Sequence, residues 1–172
     1  EAHRNRVKVA AHAHGREGIL AAVAAGVDSI EHGIYLDEEA CEWMRERNTV
    51  LVPTLAYFYR IATLGEGLGS PAYAVRKAKE VVEAHMKSFA LAMRMGITIG
   101  MGTDFEGSAL FPHGENGVEF DLMVEGGMAE RDVIVAATAT NAAVLGIEQK
   151  VGTIETGKLA DLIAVSGNPL KQ

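Results

Sequence analysis

Several residue types are scarce in this sequence, and each shortage narrows the class of protein. Among 172 residues there is one cysteine, Cys41, so no disulfide can form within the chain. Sixteen basic residues face 23 acidic ones, and no basic stripe is available to neutralise phosphates, which argues against nucleic acid as a partner. No apolar run is long enough to span a bilayer.

What the sequence does contain is typical of a globular domain. Hydrophobic residues make up 48% of the chain, enough for one domain with a real core. The chain starts at Glu1, and its first residues resemble the end of a helix, so we interpret it as the C-terminal portion of a longer protein. A signal peptide would lie upstream of such a portion, and the default expectation for the compartment is the cytoplasm.

Short β-like runs alternate with helical stretches along most of the chain. The β-like runs read VKVAAH (7–12), VDSIEHG (27–33), TVLVPTL (49–55) and ITIGMGTD (97–104). Helical patterns predict helices over 16–25, 37–48, 73–95, 118–125 and 130–145. Asp37 has the position of an N-cap, and Gly26 that of a C-cap. Loops are predicted from Ala56 to about Pro71 and over 105–117.

This alternation predicts an α/β fold with a parallel sheet covered by helices. Polar residues close the apolar runs, which is where (β/α)8 barrels keep their chemistry. A complete barrel takes about 250 residues, so about four βα units predict the C-terminal half of a (β/α)8 TIM-like barrel over 1–148. The segment 149–172 has no helical period and is predicted to form strands of a small, composite β-sandwich domain.

His12, His32 and Asp104 each stand at the end of a different predicted strand. Two imidazoles and a carboxylate at one mouth suit zinc. The alternative is that the histidines only form hydrogen bonds with loop carbonyls. Asp104 has a second candidate role, because a carboxylate beside a metal site can take a proton and pass it to a leaving nitrogen. Its alternative is a cap of the following loop.

Four further residues are candidates for the site. His14 shares a strand face with His12 if the strand continues, so it could be a metal ligand, a substrate contact or a neighbour of the ligands. It also forms an H-x-x-E pair with Glu17, which could shuttle protons or simply open a helix. His113 and Tyr57 lie in loops predicted to follow barrel strands, where substrates commonly bind. Arg16 could meet a substrate carboxylate or form a salt bridge at the start of its helix.

The motifs HAHGREGILAAVAAGVDSIEHG, GTD, HGENGVEF and TATNAAVLGIEQKVGTIETGKLADLIAVSGNPL resemble the amidohydrolase superfamily. The branch is similar to imidazolonepropionase-like enzymes and to Xaa-Pro dipeptidases or zinc carboxypeptidases. The resemblance covers essentially the whole chain. It implies a metallo-dependent hydrolase with a TIM barrel, in which a metal-activated hydroxide attacks an amide carbon.

The resemblance also implies roles for particular residues. His12 would be the ligand on barrel strand five, His32 the ligand on strand six, and Asp104 the strand-eight metal contact and proton shuttle. The strand-one H-x-H pair and the strand-four lysine of binuclear members are absent, so the missing ligands are expected upstream. The number of zinc ions, one or two, depends on those residues.

The leading hypothesis is therefore a zinc-dependent hydrolase of C–N bonds that cleaves a dipeptide or N-acyl amino acid. One alternative is a mononuclear deaminase or cyclic-amide hydrolase that uses Glu17. Another is an inactive half-barrel that assembles with a partner chain. The chain alone is expected to lack activity, to need the N-terminal half, and to associate into a homo-oligomer.

Overall fold

The computed structural model describes residues 1–170. A short 3-10 helix (Ala2–Asn5) precedes the first βα unit. The strands are β1 (Ala10–Ala13), β2 (Ser29–His32) and β3 (Val50–Val52). The helices are α1 (Arg16–Ala25), α2 (Glu38–Arg47), α3 (Leu55–Leu64), α4 (Ala72–Arg94), α5 (Val118–Glu125), α6 (Glu130–Val135) and α7 (Asn141–Val144). A π-helical turn, Ala136–Thr140, joins α6 to α7.

The three strands form one parallel sheet in the order β1-β2-β3. The predicted α/β fold with a parallel sheet is confirmed over these elements. The fourth predicted strand forms only one parallel bridge, between Leu51 and Ile99. Two residues further on, the N–H and carbonyl groups of Met101 form hydrogen bonds with the Asn141 side chain and not with a strand.

Helices α1 and α2 cover one face of the sheet. Their apolar side chains, including Ile19, Val23 and Met44, join Ile30 and Leu51 of the strands in one buried core. Both helices begin and end as predicted: the Asp37 carboxylate accepts the Ala40 N–H, and Gly26 has a left-handed φ of 84°. The opposite face of the sheet carries the polar side chains of the site.

The long helix α4 confirms the helix predicted over 73–95. On its buried face lie two polar residues, His85 and Ser88, whereas Val82 and Met86 are only half-buried. The polar side chains can occupy this face because each has a hydrogen-bond partner, the His32 carbonyl at the end of β2 and the Ile34 carbonyl after it. None of the helices among residues 1–170 combines the length and apolar character that crossing a bilayer requires.

The structure differs from the sequence-based predictions in two places. The predicted loop after β3 is largely the helix α3, whose first N–H groups are capped by Glu119, 63 and 64 residues away along the chain. No strand forms between Gly146 and Leu170, where the chain runs through turns and its apolar side chains are mostly exposed. The backbone contacts within the segment, such as the 2.8 Å hydrogen bond from the Leu159 N–H to the Lys150 carbonyl, form turns and no ladder of the kind that a strand requires.

Candidate metal centre

Three of the segments that lead into the site end on a strained backbone. His32, Thr54 and Asp104 have left-handed φ values of 75°, 53° and 59°. Such conformations cost about 1–3 kcal/mol each in residues other than glycine and persist only where the surroundings impose them. The other two left-handed non-glycine residues of the described chain, Arg6 and Asn48, simply end helices. Unexplained strain is therefore concentrated at one edge of the sheet.

The strain at His32 changes the side to which its ring turns. In the register of the sheet, His12 lies beside Glu31, and His32 lies beside the buried Ala13. Regular alternation would place His32 on the face opposite to Glu31. Its left-handed φ breaks that alternation, and the His32 Nε2 comes within 2.8 Å of the His12 Nδ1.

His14 completes a cluster of three imidazoles. One candidate ligand atom from each of His12, His14 and His32 lies within 4.8 Å of the others. The three ring centroids are 4.4 to 4.8 Å apart. His14 also makes an edge contact with the Phe58 ring, with centroids 5.6 Å apart. The cluster brings together donors from β1, from the loop after it and from β2.

The surroundings keep the buried imidazoles neutral. Burial, together with His14, His12 and His85, lowers the pKa of His32 to about 3. Burial and the neighbouring His12 also lower the pKa of His14. A metal ligand must offer an unprotonated nitrogen. His32 and His14 therefore meet that requirement at neutral pH.

His32 is held from two directions. Its Nδ1 lies 2.6 Å from the Thr54 hydroxyl oxygen at the end of β3. Its main-chain carbonyl accepts a 2.9 Å hydrogen bond from the His85 Nε2 of α4. One turn along α4, the Ser88 hydroxyl donates to the Ile34 carbonyl at 2.6 Å. The Thr54 hydroxyl thus holds the His32 ring. The contacts from α4, which is anchored in the core, hold the strained backbone of His32.

The cluster fits a divalent transition-metal ion. The His14 Nε2 is buried and has no hydrogen-bond partner among the described residues, as a nitrogen reserved for a ligand would be. Imidazole nitrogens suit zinc and its neighbours. Zinc–nitrogen bonds of about 2.0–2.1 Å in a tetrahedron separate the nitrogens by about 3.3 Å. The His12 Nδ1 and the His32 Nε2, now 2.8 Å apart, would need to separate by about half an ångström.

Asp104 opens onto the same space as the two histidines. A cavity of about 220 Å³ is lined by His12, Glu31, His32, Val52, Thr54, Gly102 and Asp104. The Asp104 side chain is exposed and lies outside the tight histidine cluster. Burial raises the pKa of the Glu31 carboxyl. The hydrogen bond from the Ser29 hydroxyl works to lower this pKa, and the nearby charge of Asp104 raises it further. The cavity thus combines two imidazoles and two carboxyl groups at the carboxyl ends of parallel strands.

The remaining candidates have other neighbours. Tyr57 stacks on Phe111, with ring centroids 4.3 Å apart, and its pKa is raised by burial and by Asp104 and Glu106. This places its hydroxyl group in the electrostatic field of the site. His113 is exposed in its loop and packs against Gly107, where an added Cβ would lie 2.7 Å from the imidazole.

The first turn of α1 is occupied by surface ion pairs. The Arg16 guanidinium donates to the carboxylates of Asp37 and Glu39, which agrees with the salt-bridge alternative. Glu17 is exposed in the same turn and does not line the cavity. The H-x-x-E pairing of His14 with Glu17 therefore finds no support in the geometry.

Sequence reasoning assigned no chemistry to His85 and did not single out Glu119. Glu119 on α5 is fully buried, and its two carboxylate oxygens accept the Leu55 and Ala56 N–H groups at 2.9 and 2.7 Å. Burial raises the pKa of Glu119 to about 7, against the opposing effect of these two hydrogen bonds. The sequence does contain one sign of a special role for Glu119, which is a charged residue among the apolar residues of its helix.

Comparison with known proteins gives the fold and the site a family. An ochratoxinase of Aspergillus niger is 38% identical over 99% of this chain. A crystal structure of a Xaa-Pro dipeptidase with bound methionine in the active site superposes with a TM-score of 0.88 at 43% identity over 98% of the chain. An imidazolonepropionase of Symbiobacterium thermophilum is 26% identical over 87% of the chain.

These relatives are much longer than this chain. The chain spans 34% of the ochratoxinase, 30% of the imidazolonepropionase and 41% of the dipeptidase chain. The model of the amidohydrolase family nevertheless matches residues 1–172, the whole of the sequence. The predicted resemblance is confirmed, and the chain belongs to the amidohydrolase family.

Proposed function

We propose that the protein hydrolyses an amide C–N bond of a dipeptide or N-acyl amino acid at a divalent-metal centre that includes His12, His32 and Asp104. One observation carries the proposal: the His12 Nδ1 and the His32 Nε2 converge to 2.8 Å at the strand ends, beside a cavity that Asp104 also lines. The likeness to a Xaa-Pro dipeptidase with methionine bound in its active site favours a peptide-like substrate.

The residues of this chain would divide the work. His12 and His32 would bind the ion, for which we propose zinc, and Thr54 would keep the His32 ring in place. When bound, the ion would polarise the amide carbonyl and supply the nucleophile. Asp104 would take up a proton during attack and return it to the leaving nitrogen. Tyr57 would line the substrate side of the site, with His14 beside the ion.

We further propose that the sheet belongs to a (β/α)8 barrel whose other strands supply further ligands. The three-stranded sheet and the single bridge at Ile99 account for only part of such a barrel. The apolar tail beyond residue 148 would pair with partner strands in a small β-domain. By itself, this chain should retain metal weakly, show no hydrolysis, and associate through its uncovered surfaces. We call the protein that contains the complementary barrel strands the intact enzyme.

The test is metal content and hydrolysis in the intact enzyme. Wild type, His12→Asn and the control His113→Asn are purified, and bound zinc is measured together with turnover of dipeptides, N-acyl amino acids and cyclic amides. We expect His12→Asn to lose bound zinc and turnover, and His113→Asn to keep its zinc. Removal of the metal by a chelator should abolish wild-type turnover, and added zinc should restore it. Turnover that survives complete chelation would contradict the proposal, and turnover of cyclic amides alone would reassign the substrate.

A further inference from the structure

The residue that bonds to His32 has an unusual position in the fold. Thr54 stands immediately before α3, where a threonine hydroxyl normally accepts an N–H of the first helical turn. Here the Thr54 side chain makes no cap, and its φ is 53° instead of extended. A left-handed conformation is a genuine outlier for a β-branched residue. The hydroxyl group turns to the His32 Nδ1 at 2.6 Å instead.

A different residue performs the capping. The free N–H groups of Leu55 and Ala56 donate to the two carboxylate oxygens of Glu119, at 2.9 and 2.7 Å. Glu119 comes from α5 and is fully buried, and these two N–H groups are the hydrogen-bond partners of its carboxylate in the described structure. A carboxylate at a helix N-terminus is favoured by the helix dipole as well as by the hydrogen bonds.

The Thr54 hydroxyl cannot cap α3 and stay beside the His32 Nδ1 at the same time. A hydroxyl group that turns back to cap α3 leaves the His32 Nδ1 without its neighbour. With the cap supplied by Glu119, the Thr54 hydroxyl stays with His32, whose Nε2 then faces the His12 Nδ1. Partners of this kind fix the ring and the tautomer of a ligating histidine.

We propose that Glu119 is a positioning residue for the metal site: by capping α3 in place of Thr54, it keeps the Thr54 hydroxyl on His32 and so orients the His32 Nε2. This inference rests on the proposed metal centre. Glu119 is not itself placed at the reacting atoms, and its effect passes through two main-chain N–H groups and one hydroxyl.

The test uses Co²⁺ as the probe in the intact enzyme after removal of its native metal. Glu119→Gln leaves one oxygen to accept an N–H and presents an NH₂ group to the other N–H. We expect this variant and Thr54→Val to bind Co²⁺ about 10–100-fold more weakly, the range for partners of metal ligands. Thr54→Ser, which keeps the hydroxyl, should stay close to wild type. Glu125→Gln, an exposed residue of the same helix, serves as the matched control.

Two further readings distinguish positioning from a purely structural role. The losses in Glu119→Gln and Thr54→Val should not add in the double variant, because both break the same connection. The ¹⁵N signals of His32 in the metal-free protein should show a changed tautomer in both single variants. A purely structural Glu119 would lower thermal stability and leave the Co²⁺ dissociation constant and the tautomer unchanged.

The outcomes separate this inference from the proposed function. Wild type that binds no Co²⁺ would overturn both. Wild type that binds Co²⁺ and hydrolyses dipeptides, beside a Glu119→Gln variant of equal Co²⁺ affinity, would overturn the role of Glu119 alone. If Glu119→Gln does not fold, the comparison of Thr54→Val with Thr54→Ser decides. Equal Co²⁺ affinity in those two would then overturn the inference.

Discussion

The sheet with its covering helices and the tail beyond residue 145 both contain isoleucines, but these are buried in the first region and exposed in the second. Ile19 and Ile30 have no exposed surface. Ile154 is 86% exposed and Ile163 is 91% exposed. The first two lie between the sheet and its helices, whereas nothing in the described chain lies over the last two. Apolar pattern predicts burial only where a second surface is present to receive it.

The largest expected effect is on kcat, and it should distinguish Asp104 at the site from Asp161 in the tail. Asp104→Asn should reduce kcat for the proposed dipeptide substrate about 10²–10⁴-fold, because asparagine cannot take up and return the proton. Asparagine tolerates the left-handed backbone at this position, so the fold should persist. Steady-state kinetics of the intact enzyme and a thermal melt check both expectations.

The matched control for Asp104→Asn is Asp161→Asn, at an exposed position in the tail. Its kcat should equal that of wild type. Equal turnover in the two variants would remove Asp104 from the proposed chemistry and leave it as a residue that shapes the loop.

A matched pair of isoleucines tests burial itself. Ile30→Ala should lower the free energy of unfolding by about 2–5 kcal/mol, because it leaves a cavity in the core. In this chain by itself, Ile163→Ala should change it by no more than about 0.5 kcal/mol, as for exposed positions in general. Denaturant titration of the two variants gives both values. A loss of several kcal/mol at Ile163 in the intact enzyme would show that another part of the protein covers the tail.

The smallest expected effect concerns the start of the chain, which charged side chains connect to the residue before β2. Between residues 146 and 170 the tail forms no ion pair with the sheet or its helices. Asp28 accepts hydrogen bonds from Lys8 at 2.8 Å, from His3 at 2.7 Å and from the Val9 N–H at 2.8 Å. Partial burial works to raise the Asp28 pKa, but these hydrogen bonds outweigh it and lower the pKa to about 2.

A lowered carboxyl pKa stabilises the folded state at pH values above the ordinary pKa of 3.8. That stability is lost as the pH falls from about 4 towards 2. Asp28→Asn should therefore be less stable than wild type at pH 6, and the difference should shrink below pH 4. Unfolding curves at pH 6, 4 and 2.5 measure it. A difference that stays constant with pH would show that the charge of Asp28 is not what fastens this segment.

Local pattern predicted the parts of the fold that local interactions determine. The strands β1 to β3 are short apolar runs closed by polar residues, and α1, α2 and α4 carry their caps or periodicity in sequence. The location of His12 and His32 at one edge of the sheet follows from the parallel order of β1 and β2. That geometry requires only the order of the elements, which the sequence displays.

The differences at α3, α4 and His32 share one cause, which is contact between residues far apart in the chain. Helix α3 depends on a cap from Glu119, and the buried place of His85 depends on a carbonyl 53 residues earlier. The left-handed turn of His32, which brings its ring to His12, has no local signature. Propensity over a window of residues contains none of these interactions.

Asn141 shows how a single side chain can satisfy the main chain beside a sheet. After the bridge at Ile99, Met101 directs its N–H and carbonyl away from β3, and the Asn141 amide bonds both, at 2.9 and 2.7 Å. An amide group offers the same donor and acceptor as a peptide bond, so it imitates one residue of a missing strand. Both main-chain groups of Met101 therefore have a partner without a further strand beside them. The amide thus braces the segment at Met101 from the side that β3 does not occupy.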